Sequence, residues 1–254
     1  MPLGVNFGGV WKDVPRTGMF VKHAGVWKNP VQGYAMRAGV WQPLWSLGPS
    51  VIFRGARTSN NAAQDWSFTN WDIGTEPNTL VVICQSTRNA NESGSSDKMN
   101  VGGVALTRLT NNYQSPAQMQ LGYGVVSPTG PVTIAVGTGG QFSGYGMFVA
   151  CWTMTGYNSA VPVTSLNTKG SQGTRTLTMA YPDDAAIGIL AGASGGTSAQ
   201  AMAGTGVTQD GQANTGVGSG YDHKSTAGHL DSPGAGSYSA TLTASMVLNG
   251  VVFR

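Results

Sequence analysis

The chain has 254 residues, of which 38 are glycine and only 10% are charged. Glycine is about twice as common as its usual share of roughly 7%, and helix formers such as Glu and Lys are scarce. The 40% hydrophobic content is enough for a core, so the glycine content alone does not make the chain disordered. The composition favours strands joined by glycine-rich turns.

The tripeptide Gly-Val-Trp occurs three times near the start of the chain, with its tryptophans at Trp11, Trp27 and Trp41. These tryptophans are 16 and 14 residues apart, a period that fits one β-hairpin and is too short for a domain. We expect each repeat to comprise a Trp strand, a turn, an aromatic strand and a second turn. Tandem hairpins bury little surface by themselves, so we predict that the three tryptophans dock on a partner.

Positive charge is concentrated in these repeats. Residues 1–45 hold five basic residues and one acid, which leaves nine basic and ten acidic residues of the totals of 14 and 11. A basic module suits an acidic protein surface or nucleic acid. Five basic residues among apolar strand residues are a weak nucleic-acid footprint, so we predict a solvated or partner-facing strand face and no nucleic-acid partner.

Two prolines, Pro43 and Pro49, end the repeat pattern. We place a domain boundary there, between a docking module of residues 1–48 and a second domain of residues 49–254. In the second domain, residues 79–85 are almost continuously apolar, which predicts a central strand buried on both faces or a strand of a sandwich. About ten short strands separated by turn signals, with no capped helical pattern, predict an all-β fold: a two-sheet antiparallel sandwich of the jelly-roll kind.

Cys84 and Cys151 each lie in an apolar, strand-like run. We predict buried free thiols, with a disulfide between the two sheets as the alternative. The first residues lack the basic start and apolar run of a signal peptide, and no segment approaches the ~18 apolar residues of a membrane helix. We therefore expect synthesis in a reducing cytoplasm and no membrane insertion.

Both parts of the chain resemble virion proteins of tailed bacteriophages. The strands and turns of residues 101–107, 127–136 and 147–156 are similar to jelly-roll modules of tail fibres, minor tail proteins and head fibres. The Gly-Val-Trp-Lys repeats resemble short N-terminal repeats of minor tail and tail-tip proteins. The resemblance spans most of the chain, although it rests on turns and strands rather than on chemically specific motifs.

This resemblance implies a non-enzymatic structural component of the virion, made in the cytoplasm of the host bacterium. Members of the family are often trimers, and some bind a host-surface glycan. We expect a tail or fibre protein that docks through its repeats and projects its sandwich, with host attachment as a further role. The alternatives are a head fibre, a capsid decoration protein and a carbohydrate-binding module.

Two tryptophans beside carboxylates, in Asp65-Trp66 and Trp71-Asp72, form a pattern used in sugar binding. Together with Tyr157, we take Trp66 and Trp71 as candidate glycan contacts. The alternative is that both indoles pack at the edge of the sandwich while both aspartates cap turns. A depolymerase needs two carboxylates at a defined separation, and with only eleven acids in the chain we predict no catalytic residue.

Two histidines lie near aspartates in the last quarter of the chain, in Asp222-His223 and in His229 with Asp231. Their spacing matches no strong zinc pattern, so we predict a surface loop and no metal. Gly102-Gly103 and Gly195-Gly196 are not followed by the Gly-Lys-Ser/Thr of a phosphate loop. We therefore predict no cofactor.

Overall fold

The computed structural model describes most of the chain. It describes the strand backbones at 3–7, 10–14, 21–23, 26–28, 32–37 and 40–46, and it describes with side chains residues 50–88, 98–109, 112–138, 144–182, 186–216, 222–231 and 234–254. Every regular element in these ranges is a β-strand, which confirms the predicted all-β class. The chain divides into two compact units, Met1–Gly48 and Pro49–Arg254.

Three antiparallel hairpins make up the described part of the first unit. They are β1 (Leu3–Phe7) with β2 (Val10–Val14), β3 (Val21–His23) with β4 (Val26–Lys28), and β5 (Gln32–Arg37) with β6 (Val40–Ser46). Each hairpin pairs a Trp strand with the strand before it, not with the strand after it. Two residues separate the paired strands in each hairpin, a common length for β-hairpin loops.

Three sheets make up the second unit, and all their strand pairs are antiparallel. Their strands are β7 (Ser50–Ala63), β8 (Asp65–Trp71), β9 (Thr79–Arg88), β10 (Lys98–Val101), β11 (Val104–Ala105), β12 (Thr107–Arg108), β13 (Asn112–Gln114), β14 (Ala117–Val126), β15 (Val132–Gly137), β16 (Gly144–Thr155), β17 (Thr164–Tyr181), β18 (Ile187–Gly195), β19 (Met202–Ala203), β20 (Val207–Thr215), β21 (His223–Leu230) and β22 (Gly236–Phe253). The first sheet has the order β11-β10-β15-β8. The central sheet has the order β12-β14-β9-β16-β7, with β13 beside β14, and the third sheet has the order β17-β22-β18-β21-β20, with β19 beside β22.

The central sheet is buried on both faces. Successive side chains of a strand point to opposite faces, so in β9 Leu80 and Val82 pack toward the third sheet while Val81 and Ile83 pack toward the first sheet. Residues 79–87 of β9 are all buried, which confirms the central-strand prediction for residues 79–85. The expected two-sheet sandwich is a three-sheet stack instead, because the central sheet carries apolar side chains on each face.

The third sheet also buries its other face. Residues from β17, β18, β19, β21 and β22 form a separate core there, which contains Leu177, Met179, Leu190, Leu242 and Leu248. Gly192 in β18 lies against this core, because a methyl group at its Cα would lie 2.7 Å from the Val247 carbonyl oxygen and would also contact Leu242. The backbone oxygen cannot move away as a flexible side chain does.

We therefore expect Gly192→Ala to lower the free energy of unfolding by about 2 kcal/mol, the usual cost of overpacking a core. Urea unfolding monitored by circular dichroism measures this change. The matched control is Gly130→Ala, since a methyl group at Gly130 meets no atom within 4 Å. Equal stabilities of the two variants would contradict the close packing at Gly192.

Candidate functional site

Trp66 and Trp71 lie inside the core between the first and central sheets, with 6% and 1% of their surface exposed. The Trp71 indole donates from Nε1 to the Arg54 carbonyl at 2.9 Å, and the Arg57 guanidinium stacks over its ring at 4.7 Å. A sugar stacks on an exposed aromatic face, which neither indole offers. The structure corrects the glycan assignment of both residues and favours the packing alternative.

The third candidate glycan contact, Tyr157, lies on the opposite side of the central sheet, packed against the core that faces the third sheet. Its hydroxyl donates to the Asn78 carbonyl at 2.9 Å, and burial raises its pKa. The structure therefore does not bring Tyr157 together with Trp66 and Trp71.

The two aspartates beside these tryptophans differ in role. Asp72 accepts the Gly74 backbone N–H at 2.8 Å and so caps a turn, as the packing alternative expects. Asp65 instead forms an exposed ion pair with Lys98 at 3.0 Å. Only Asp72 thus has the turn-capping role expected for both aspartates.

Cys84 and Cys151 are free and fully buried, which confirms the predicted thiols. Cys84 points toward the third sheet and Cys151 toward the first sheet. Because the central sheet separates their side chains, a disulfide between them is excluded. Burial raises the pKa of both thiols, that of Cys84 to about 12, so neither is a reactive thiolate.

A polar cluster in the described residues joins three strands at a β-bulge. The pairing of β20 with β21 shifts between Gln209 and Gly211, so Asp210 is the extra residue of the bulge. Asp210 Oδ2 accepts the Trp152 indole N–H at 2.6 Å from the central sheet. The same oxygen lies 2.7 Å from Nδ1 of His229 on β21.

His229 lies between two carboxylates. Its Nε2 is 3.5 Å from Asp231 Oδ2, and its side chain is 13% exposed, against 5% for Asp210 and 68% for Asp231. The hydrogen bond with Asp210 and the charges of both aspartates raise the pKa of His229, against an opposing effect of burial. The carboxylates flank opposite ring nitrogens, so they do not converge on one metal ion.

A second histidine cluster lies at the other end of β21. His223 Nε2 is 2.5 Å from Ser86 Oγ of the central sheet, and the Ser86 hydroxyl also donates to the Gln118 carbonyl at 2.9 Å. His223 is fully buried. Burial and the nearby Arg88 charge lower its pKa to about 3, while the Ser194 carbonyl acts weakly in the opposite direction.

This pair has the atoms of a Ser–His dyad without access to a substrate. Ser86 is 1% exposed and His223 is 0% exposed, so neither atom meets solvent. We assign the pair a structural role: it joins the central sheet to the third sheet.

The predicted surface loop at His223 and His229 is wrong, since both residues lie on strand β21. Polar and apolar residues alternate too little along β21 for the sequence to predict a strand there. Sequence reasoning also missed Asp210, Trp152 and Ser86, which reach these histidines only through contacts between sheets.

The predicted docking tryptophans occupy equivalent positions in the three hairpins. Trp11 pairs with Asn6, Trp27 with Lys22 and Trp41 with Met36, in each case one position beyond the pair that closes the hairpin. The side chains of all three lie outside the described residues. Their docking role stays a prediction.

Neither a metal-binding cluster nor a membrane-spanning helix is present in the part of the chain that the structure describes. No group of three or more His, Cys, Asp and Glu side chains is arranged to hold a metal ion there. Nor does that part contain a helix of the length and hydropathy needed to cross a membrane. Comparison with protein-family models, curated proteins and solved structures finds no match to this chain.

Proposed function

We propose that the chain is a non-enzymatic structural component of a bacteriophage virion, of the tail or fibre type. In this proposal the N-terminal hairpins dock on the particle and the three-sheet second unit projects from it. The observation that carries the proposal is the recurrence of Trp11, Trp27 and Trp41 at one register position in three successive hairpins. A repeated aromatic position suits a repeated contact, since buried aromatic residues dominate the energy of interfaces.

The second unit suits a structural role. Its central sheet is covered on both faces, and its two cysteines and His223 are fully buried rather than facing solvent. We propose that it assembles with copies of itself, a trimer being the form that the resemblance implies. Host attachment through Trp66 and Trp71 is not part of the proposal, because both rings are buried.

Deletion of residues 1–48 tests the docking role. We expect the shortened chain to remain folded, because the two units are separately compact, and to be absent from particles. The measurement is the amount of protein in gradient-purified particles from infected cells, compared with the full chain by immunoblot, with circular dichroism as the test of folding. Light scattering of the purified chain gives its oligomeric state.

The matched control replaces only the three tryptophans, with Trp11→Ala, Trp27→Ala and Trp41→Ala combined in the full chain. It should lose incorporation as the deletion does. Incorporation of the deleted chain at the level of the full chain would refute the docking role. Absence of the full chain from purified particles would refute the virion proposal itself.

A further inference from the structure

The Trp152–Asp210–His229 cluster lies at one edge of the third sheet. Strand β20 is the last strand of that sheet, and β21 is its neighbour there. The bulge at Asp210 turns a carboxylate of this edge strand inward, where it meets Trp152 of the central sheet. One oxygen atom therefore links β20 to β16 and to β21.

The packing beside this oxygen is close. A methyl group at Gly211, the next residue of β20, would lie 3.2 Å from Ala56 Cβ and 3.3 Å from Phe53 Cζ, both on β7. Phe53 in turn packs against the Trp152 ring, with ring centroids 5.7 Å apart. The edge strand is thus held to the central sheet by an apolar contact and by the Asp210 carboxylate.

A buried carboxylate needs compensation for the water that it loses on folding. Asp210 is 5% exposed, and the groups that compensate it are the neutral Trp152 indole and the His229 imidazole. The charged groups that face His229 are Asp210 from β20 and Asp231 from the end of its own strand. Protonated His229 turns the contact with Asp210 into a charge-assisted hydrogen bond, which is about twice as strong as a neutral one.

We propose that Asp210 and His229 form a pH-dependent latch. When His229 is protonated, its contact with Asp210 holds strand β20 against the central sheet. When the proton leaves, this contact weakens and the strand is held less firmly. The position of the latch favours such a role, because Nε2 of His229 is close to the exposed Asp231, which gives the buried pair contact with solvent protons. The two residues of the latch are 19 residues apart in the sequence and meet through the pairing of β20 with β21.

The sign of the effect follows from the raised pKa of His229. The stabilisation is complete below the pKa of an unfolded histidine, about 6.5, and is lost as the pH rises through the higher folded pKa. The latch is therefore closed in mildly acidic solution and loosens in alkaline solution.

Hydrogen exchange of the full chain between pH 6 and pH 9 tests the proposal. After correction for intrinsic exchange rates, we expect protection of the β20 amides to fall about fivefold as His229 titrates, which corresponds to about 1 kcal/mol. The Trp152 Nε1–H resonance should shift with the same midpoint. Amides of β9, at the middle of the central sheet, should not change.

Three variants give the test its controls. In His229→Gln the pH dependence of β20 should disappear, whereas in His223→Gln, which alters the other histidine of β21, it should persist. Asp231→Asn removes only the exposed carboxylate, so it should keep the fold and move the midpoint to lower pH.

Constant protection of β20 through the His229 titration of the wild-type chain would overturn the latch. So would an unchanged pH dependence in His229→Gln. If that variant does not fold, Asp231→Asn decides: a midpoint that stays in place refutes the proposal, and one that moves with the His229 titration supports it.

Discussion

Acidification from pH 7 to pH 4 is expected to lower the free energy of unfolding by about 3 kcal/mol through His223 alone. His223 is fully buried, and burial together with Arg88 lowers its pKa to about 3. The unfolded chain binds the proton near pH 6.5, whereas the folded chain resists it until about pH 3. Stability is therefore present above the unfolded pKa and is lost as the pH falls toward the folded one.

A positive charge on His223 has no favourable surroundings in the folded structure. The Ser86 hydroxyl donates to the Gln118 carbonyl, so the neutral ring can donate its Nε2–H to Ser86 Oγ. A second proton would put a full positive charge in the interior next to Arg88, whose own guanidinium donates to the Asp222 carbonyl at 2.8 Å. Burying an uncompensated charge is far more costly than burying a neutral ring.

Urea unfolding at pH 7, 5 and 4 measures the effect, and His223→Gln is the test variant. The comparison uses the change with pH and not the absolute stability, because the substitution disturbs the Ser86 contact as well. In the variant the acid-induced loss should be smaller by about 3 kcal/mol. The matched control is His229→Gln, whose acid-induced loss should be no smaller than that of the wild type, because protonation of His229 stabilises the fold as the pH falls. An equal loss in wild type and His223→Gln would refute the assignment.

The two histidines near the ends of β21 give the free energy of unfolding opposite dependences on pH. His223 destabilises the fold as the pH falls below about 6.5, and His229 does so as the pH rises above it. Their combined effect is a maximum of stability near neutrality. The opposition arises from their surroundings: complete burial and the charge of Arg88 lower the pKa of His223, whereas the hydrogen bond with Asp210 and the charges of two carboxylates raise the pKa of His229.

Local sequence patterns were sufficient to predict the class of fold and the burial of individual strands. The apolar run at residues 79–85 predicts a strand buried on both faces because burial of both faces removes the alternation of polar and apolar residues. The same argument places Cys84 and Cys151 in buried strands. It cannot tell which face each thiol occupies, because that depends on the register between β9 and β16.

The histidine clusters could not be predicted in this way. Asp210 reaches Trp152 and His229 only because β20 carries a bulge, and a bulge in a polar, glycine-containing strand leaves no periodic signal. Ser86 and His223 are 137 residues apart and meet through the packing of two sheets. The aspartates and tryptophans near residues 65–72 show the converse error, since neighbours in sequence there suggested a shared site that burial rules out.

Removal of the Trp152 side chain is expected to have the largest effect of any substitution considered. Trp152 is fully buried between the central and third sheets, where it packs against Phe53. We expect Trp152→Ala to lower the free energy of unfolding by about 4 kcal/mol, the usual cost of emptying an aromatic site in a core. The loss of a donor to Asp210 adds to the cost of the cavity.

Trp152→Phe separates the two contributions. Phenylalanine keeps most of the ring packing and removes the Nε1–H, so a loss of about 2 kcal/mol is expected from the carboxylate that it leaves with one partner fewer. Denaturant unfolding at pH 7 measures both variants. The matched control is Trp66→Phe, since the Trp66 indole donates at 3.3 Å to a carbonyl of the exposed Asn61 and should cost less than about 1 kcal/mol.

The comparison of the two Trp→Phe variants decides how the central and third sheets are joined. If Trp152→Phe costs no more than Trp66→Phe, the hydrogen bond from Trp152 to Asp210 does not contribute to joining the sheets. If it costs more, the difference should grow as the pH rises and His229 loses its proton, because Asp210 then depends more on Trp152. In that case a polar contact across a buried interface fixes the position of the edge strand, while the surrounding rings supply most of the energy.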